Sequence, residues 1–359
     1  MKRVIYIGMD VHSTTFSVCA LELVNVLESR FFAECTMQAD SNRLLDYLRN
    51  LEKTLGPCTF ITGYEAGCLG FSLYKELKEA GIECRILAPT TMPVAKGGKR
   101  VKTDSRDARD IAKCLAFNSC SFVHVPTDED LAVKEYIRMR NDHKENLKTV
   151  KQQICALALR HGFFFSAAKW TASHLKALRE FDLPDVIREA LNEYLATYEQ
   201  LTAKIASFDA RIEEFSRKPS YDTPVSRLAC FCGISRARAT TIIVEVSDFA
   251  RFAKPQHFAA FLGLVPGEQS GGEGIHRTSL TKAGNSHLRK EFIEAAQSIC
   301  RGMVGYKSKA LAARQKGNPP GAIAYADKAN ERLRRKYYRM ISKGKNRNVA
   351  VAAVARELC

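Results

Sequence analysis

No stretch of this 359-residue chain approaches the roughly 18 consecutive apolar residues that a membrane span requires. The apolar run behind Met1-Lys2-Arg3 is cut off by Asp10, too short for a signal peptide, so a cytoplasmic location is expected. The twelve cysteines are then expected as reduced thiols. None of them forms a C-x₂-C pair; Cys230 and Cys232 make a lone C-x-C, which excludes the common structural zinc patterns. An Asp-x-Gly-Gly phosphate loop is also missing. That argues against an actin-like kinase, although Asp10-Val11-His12-Ser13-Thr14-Thr15 follows an apolar run, with His12 where such a loop carries glycine. Acidic residues are in deficit: 39 Asp plus Glu face 55 Lys plus Arg, for a net charge of +16. Such an imbalance points to a polyanionic partner, nucleic acid ahead of a membrane surface.

What is present is a set of carboxylates at telling positions. Asp10 closes the apolar run Val4–Met9, and Glu65 closes a second, Thr59–Tyr64. Asp104 and Asp107 are three residues apart, so on a helix they face the same way. Acids at two strand ends and on one helical turn converge only through a fold, and clusters of oxygen ligands are what hard cations such as Mg²⁺ require.

The order of elements supports that convergence. Val4–Val11 and Phe16–Leu23 read as strands joined by a polar turn, with Arg30–Thr36 a shorter third strand. A helix over Asn42–Leu55, a strand over 59–65, a helix over 71–80, a strand over 84–88 and a helix over 104–117 follow. This β-β-β-α-β-α-β-α order is that of the RNase H-like fold, in which the first and fourth strands lie side by side and parallel. Residues 128–218 change character: Leu131–Leu159 and Pro184–Phe215 read as long helices. Ile187, Leu191, Leu195, Tyr198, Leu201, Ile205, Phe208 and Ile212 recur at three and four residues, as in a helical hairpin or coiled coil. From 219 the chain is helical and punctuated by glycine. Cys232-Gly233-Ile234-Ser235 resembles the turn of a helix-hairpin-helix, whose amides grip a phosphate. The expected architecture is therefore α/β plus all-α: an RNase H/RuvC-like domain at 1–127, a helical coiled-coil arm at 128–218 and a helical C-terminal domain at 219–359.

Five motifs, in order, carry a resemblance. They are Gly8-Met9-Asp10-Val11-His12, Tyr64-Glu65-Ala66-Gly67, Lys102-Thr103-Asp104 with Asp107-Ala108, Leu262-Gly263-Leu264-Val265-Pro266, and Thr281-Lys282-Ala283-Gly284-Asn285. Together they make the chain resemble the DEDD-type insertion-sequence transposases, the group of bridge-RNA-guided recombinases to which the pilin-gene invertases are related. Two departures stand out. Cys232-Gly233-Ile234-Ser235 replaces the family's usual Pro-Gly-Ile-Gly, and Ser270-Gly271-Gly272 its usual Ser-Ser-Gly.

The resemblance implies a Mg²⁺-dependent recombinase, with Asp10, Glu65, Asp104 and Asp107 as metal ligands, a bridge or guide RNA, and a homo-oligomer, dimer or tetramer. From the residues alone Ser270 reads as part of a Gly-Ser turn; the resemblance makes it the nucleophile, with Ser279 the next candidate. Phosphate contacts are expected from Arg277, Lys282, Arg289 and Lys290, and from Arg334, Arg335, Lys336 and Arg339 in the basic tail. Two alternatives stand beside this reading. One is a nuclease like a Holliday-junction resolvase, which needs the acids but no serine; the other is a nucleic-acid-binding protein without catalysis.

Overall fold

A computed structural model of the chain describes residues 3–24, 28–67, 69–93, 103–268, 274 and 277–359. It divides into two compact units, Met1–Val125 and Pro126–Cys359. In the first, strands β1 (Arg3–Val11), β2 (Thr15–Leu23), β3 (Ser29–Gln38), β4 (Cys58–Glu65) and β5 (Glu83–Leu87) form one sheet in the order β3-β2-β1-β4-β5. β1 pairs antiparallel with β2 and parallel with β4, as the element order requires of an RNase H-like fold. Helices α1 (Ser41–Leu55) and α2 (Ser72–Glu79) join the strands, and α3 (Asp104–Phe117) closes the unit.

Strand alternation sorts the side chains to two faces. Ile5, Ile7 and Met9 of β1, with Phe60 and Tyr64 of β4, pack against Leu44, Leu48 and Leu51 of α1 and Leu73 and Leu77 of α2. Tyr6 and Ile61 point the other way, onto Ile111 and Leu115 of α3. On this face α3 lies almost on the backbone of β1. A Cβ on Gly8 would sit 2.0 Å from the Ala108 carbonyl oxygen and 2.3 Å from the Ala112 nitrogen. Only glycine permits that approach.

The second unit begins with the arm: α4 (Asp128–Arg160), α5 (Ala172–Glu180) and α6 (Asp185–Ser216). At its far end Val150, Ile154, Leu157, Leu178, Leu191, Leu195 and Tyr198 form a core of their own. At its base Val133, Ile137 and Ile212 join the core of the C-terminal helices. The arm expected over 128–218 as a separate domain thus shares its lower half with the domain that follows. Asp130 marks this base: buried, it accepts from Tyr221 Oη at 2.7 Å and from Ser247 Oγ at 2.6 Å.

The remaining elements are α7 (Asp222–Leu228), α8 (Arg236–Val246), α9 (Pro255–Phe261), β6 (Pro266–Glu268), β7 (Arg277–Leu280), α10 (Ser286–Arg301), α11 (Lys309–Gln315), α12 (Pro320–Ser342) and α13 (Arg347–Leu358). The turn between α7 and α8 is an inward-facing one. Gly233, at φ +81, leaves no room for a Cβ against Ala295 of α10; Ile234 is buried, and the Cys232 amide donates to Asn330 Oδ1 at 3.0 Å.

Gly8→Val sets a branched side chain against backbone that cannot yield, and it is expected to destabilise the first unit by about 3 kcal/mol, the upper end of ordinary overpacking. Gly321→Ala, in the first turn of α12 with open space around it, is expected to change stability by less than about 1 kcal/mol. Urea unfolding of the full chain followed by circular dichroism compares the two; equal losses would remove the special role given to Gly8.

Candidate active site

Asp10 and Glu65 owe their proximity to register. Met9 pairs with Tyr64 across the parallel strands β1 and β4, so one residue further on Asp10 and Glu65 are neighbours. By alternation both side chains belong to the face that carries Tyr6, Gly8, Ile61 and Gly63, the face covered by α3. Asp104 and Asp107 lie in the first turn of α3, where unpaired backbone amides and the helix dipole favour carboxylates. The fold therefore brings Asp10, Asp104 and Asp107 together, while strand register sets Glu65 next to Asp10 at the same end of the sheet.

His12 joins them. One ligand atom each from Asp10, His12 and Asp104 lie within 4.8 Å of one another. His12 Nε2 is 3.3 Å from Asp10 Oδ2 and 3.8 Å from Asp104 Oδ1. Sequence reasoning passes over His12 as a site residue, yet a usable signal is there. Residues 10 and 12 share a face at strand spacing. Burial raises the Asp10 carboxyl above its ordinary range; His12 opposes that, while Asp104 and Asp107 add to it. Mutual repulsion among carboxylates is what a divalent cation relieves, so the donor set fits such an ion. An imidazole suits a hard cation poorly, and His12 is better placed to orient the two aspartates than to ligate.

Glu34 of β3 holds α3 in place from the side. It accepts from Ser105 Oγ at 3.0 Å and from Arg109 Nε at 2.7 Å, residues that flank Asp107 on the helix. Arg109 holds the Glu34 carboxyl below its usual range. Beneath it the buried thiol of Cys19 is pushed up to about 12, chiefly by desolvation, and is inert.

Ser270 lies outside the described residues, but both ends of its segment are described. β6 and β7 pair antiparallel, and the pairing continues beyond them. The Thr281 amide donates to the Val265 carbonyl at 3.0 Å, Lys282 to Gly263 at 3.2 Å, and Asn285 to Phe261 at 3.0 Å. Leu262–Pro266 and Thr281–Asn285, far apart as sequence motifs, are thus the two sides of one clamp. Gly263 and Gly284 both adopt positive φ, where backbone oxygens leave no space for a Cβ. Lys282 adopts φ +53 without being glycine, a strained conformation of the kind that clusters at functional sites. Asn285 caps α10 through Leu288 N and donates to the buried Glu245, itself held by two bonds from Arg138 at 2.9 and 3.0 Å.

The expected phosphate contacts divide. Lys282 and Arg339 are exposed. Arg277 lies in β7, its side chain outside the described residues. Lys290 is exposed and pairs with Glu145 at 3.0 Å; Arg335 pairs with Glu331 at 2.8 Å, and Lys336 with Glu357. Arg289 donates to the Leu262 carbonyl at 2.9 Å and so belongs to the clamp. Arg334 requires a correction. It is buried, at 6% exposure, and donates to the carbonyls of Met303 and Tyr306; its place on the inner face of an amphipathic helix withholds it from phosphate. Lys328, Arg332, Arg335, Lys336 and Arg339, with Glu331, line a groove along the outer face of α12.

The sheet carries its acids at one end of one face, and comparisons with known proteins identify the family. The family described as "Transposase IS116/IS110/IS902 family" matches residues 225–311, and a DEDD transposase family of IS110 elements matches residues 7–163. A putative transposase, y4qE, of Sinorhizobium fredii is 32% identical over 359 residues, covering 99% of this chain and 87% of that protein. The transposase for insertion sequence element IS1533 of Leptospira borgpetersenii is 27% identical, covering 96% of this chain and 99% of that one. Among solved structures, T. thermophilus RuvC in complex with Holliday junction substrate covers 33% of this chain and 99% of its own, at 10% identity and a TM-score of 0.24. This chain belongs to the IS110/IS116 family of DEDD transposases: it is an insertion-sequence transposase that cleaves and recombines DNA. Among the described residues no helix is long and apolar enough to cross a membrane.

Glu245→Gln leaves Arg138 without its charge partner and loosens the clamp. The expected loss is about 2 kcal/mol, less than the cost of breaking a fully buried pair because Arg138 is partly open to solvent. Burial pushes the Glu245 carboxyl up, but Arg138 and Asn285 outweigh it and hold the folded-state value below the ordinary one. Its contribution is therefore complete at neutral pH and lost as pH falls below the ordinary glutamate range. Stability against pH, measured for both chains, should show a difference that shrinks on acidification; a constant difference refutes the assignment.

Proposed function

We propose that the chain is a Mg²⁺-dependent recombinase that works through a serine nucleophile under the guidance of a bridge RNA. What supports the metal part is the grouping of Asp10 with Asp104 and Asp107, and the strand register that sets Glu65 next to Asp10. These four residues would hold the ion. When bound there, it would offset the charge on the scissile phosphate and favour deprotonation of an attacking hydroxyl.

Ser270 is the proposed nucleophile, a role that rests on the family resemblance and on the rigid clamp at both ends of its segment. Its Oγ forms a bond to phosphorus while the bond from phosphorus to the deoxyribose oxygen breaks. The serine proton ends on that departing oxygen. The phosphoserine ester keeps the bond energy that rejoining needs, whereas acids acting on water alone would give irreversible hydrolysis. Because the acids and the clamp belong to different units, the reaction requires the units to come together, within one protomer or across two of a dimer or tetramer. Lys282 of the clamp and the cations on the outer face of α12 are the proposed phosphate contacts, together with Lys290 and Arg277. RNA guidance rests on the family resemblance, with the net charge of +16 as its physical counterpart.

Asp10→Asn is expected to abolish strand cleavage while DNA binding persists, and Ser270→Ala to bind DNA but form no covalent adduct. Denaturing electrophoresis with element-end DNA, RNA and Mg²⁺ reads both. Adducts that persist in Ser270→Ala and vanish in Ser279→Ala transfer the role to Ser279, and full cleavage by Asp10→Asn defeats the metal assignment. Mixing the two inactive chains should restore some product if the site forms in trans.

Arg335→Gln with Arg339→Gln is expected to weaken DNA and RNA binding for every sequence and to lower the slope of log affinity against log salt by about 1 for each phosphate no longer neutralised. An unchanged slope, measured by anisotropy over a salt series, removes the outer face of α12 from the binding surface.

A further inference from the structure

Beside the clamp is a cavity of about 530 Å³ that shares only Lys282 and the alternative nucleophile Ser279 with the mechanism above. One wall is the β6–β7 pair and its continuation: Leu264, Pro266, Thr278, Ser279, Leu280 and Lys282. The other is α13, through Asn348, Val349, Ala352, Ala353 and Arg356, with Met340 of α12 at the end. Its volume falls within the range of about 300–1,000 Å³ usual for small-ligand sites. The chemistry of the walls is divided. Small and flexible apolar groups line most of it, one amide is present, and a cation stands on each side. Neither Lys282 nor Arg356 makes an ion pair among the described residues, and no carboxylate lines the cavity.

An apolar body, a few hydrogen-bonding edges and an attached negative charge are the combination such walls recognise. In a chain that cleaves DNA, the ligand with that combination is a nucleotide removed from its stack: base among the alkyl groups, flanking phosphate between the cations. We propose that this cavity receives an unpaired nucleobase extruded from the bound DNA, its edge met by Asn348 and its flanking phosphates by Lys282 and Arg356. Extrusion requires the base to be unpaired and unstacked, which costs least where a base is already unpaired, as at a strand being exchanged. The cavity would thereby favour melted over intact duplex beside the clamp. This inference rests on the proposed function only in taking DNA as the substrate.

The walls supply the test. No aromatic side chain lines the cavity, so 2-aminopurine seated there loses its stacking partners and gains none. Element-end DNA carrying 2-aminopurine at one position at a time, bound together with RNA to the full chain in EDTA so that nothing is cut, should show one position whose fluorescence rises several-fold. Ala353→Phe fills the cavity and adds an aromatic ring, and should abolish the rise; Arg356→Gln, a surface change, should reduce it. Anisotropy on the same samples reports whether DNA is bound. Bound DNA with no bright position, or a rise that survives both substitutions, overturns the inference and leaves the proposed function standing. Absence of DNA binding overturns both.

Discussion

The contact on which the first unit depends is backbone against backbone: α3 resting on β1 at Gly8. Side chains normally stand between a helix and the sheet it covers. Here the Ala108 carbonyl and the Ala112 amide occupy the space that a Cβ at position 8 would fill. That approach lowers the first turn of α3, and with it Asp104 and Asp107, to the level of the strand ends. Parallel pairing of β1 with β4 then sets Asp10 beside Glu65, and Glu34 keeps the helix from swinging about the contact. Metal affinity in such a site is a matter of preorganisation, since four carboxylates held together repel unless a cation is present.

Much of this is legible in the residues. The three-strand meander, the parallel fourth strand and α3 follow from alternation and helical spacing, as do Asp104 and Asp107, while Asp10 and Glu65 follow from their positions at the ends of apolar runs. His12 escapes notice because a polar residue beyond a strand-ending aspartate reads as turn. The structure carries β1 to Val11 and leaves His12 over the same face as Asp10. Arg334 misleads for a different reason. In a run of cations composition says nothing about which face each occupies, and Leu333 and Arg334 together form the inner side of α12. The arm is recognisable by its seam, but the sharing of its lower half with the C-terminal core depends on contacts between residues about 100 positions apart, to which no local pattern speaks.

The two motifs of the second unit show what a sequence motif can conceal. Leu262–Pro266 and Thr281–Asn285 look like separate signatures; folded, they are partners in a single pairing whose glycines admit neighbouring backbone oxygens. Neither contains a group suited to nucleophilic chemistry at its centre. Their task is to fix the ends of the segment between them, and Glu245, from a third element, locks the arrangement through Asn285.

The arm is also a lever. At 1.5 Å per residue the 33 residues of α4 extend for about 50 Å. Its short end is tethered where Asp130 takes hydroxyl hydrogens from Tyr221 and Ser247. A tilt of about 5° there carries the far end through about 4 Å, roughly a hydrogen bond's length and more. These two hydroxyl groups, with the Arg138–Glu245 pair and the core around Val133 and Ile137, therefore set the angular tolerance of everything mounted at the tip.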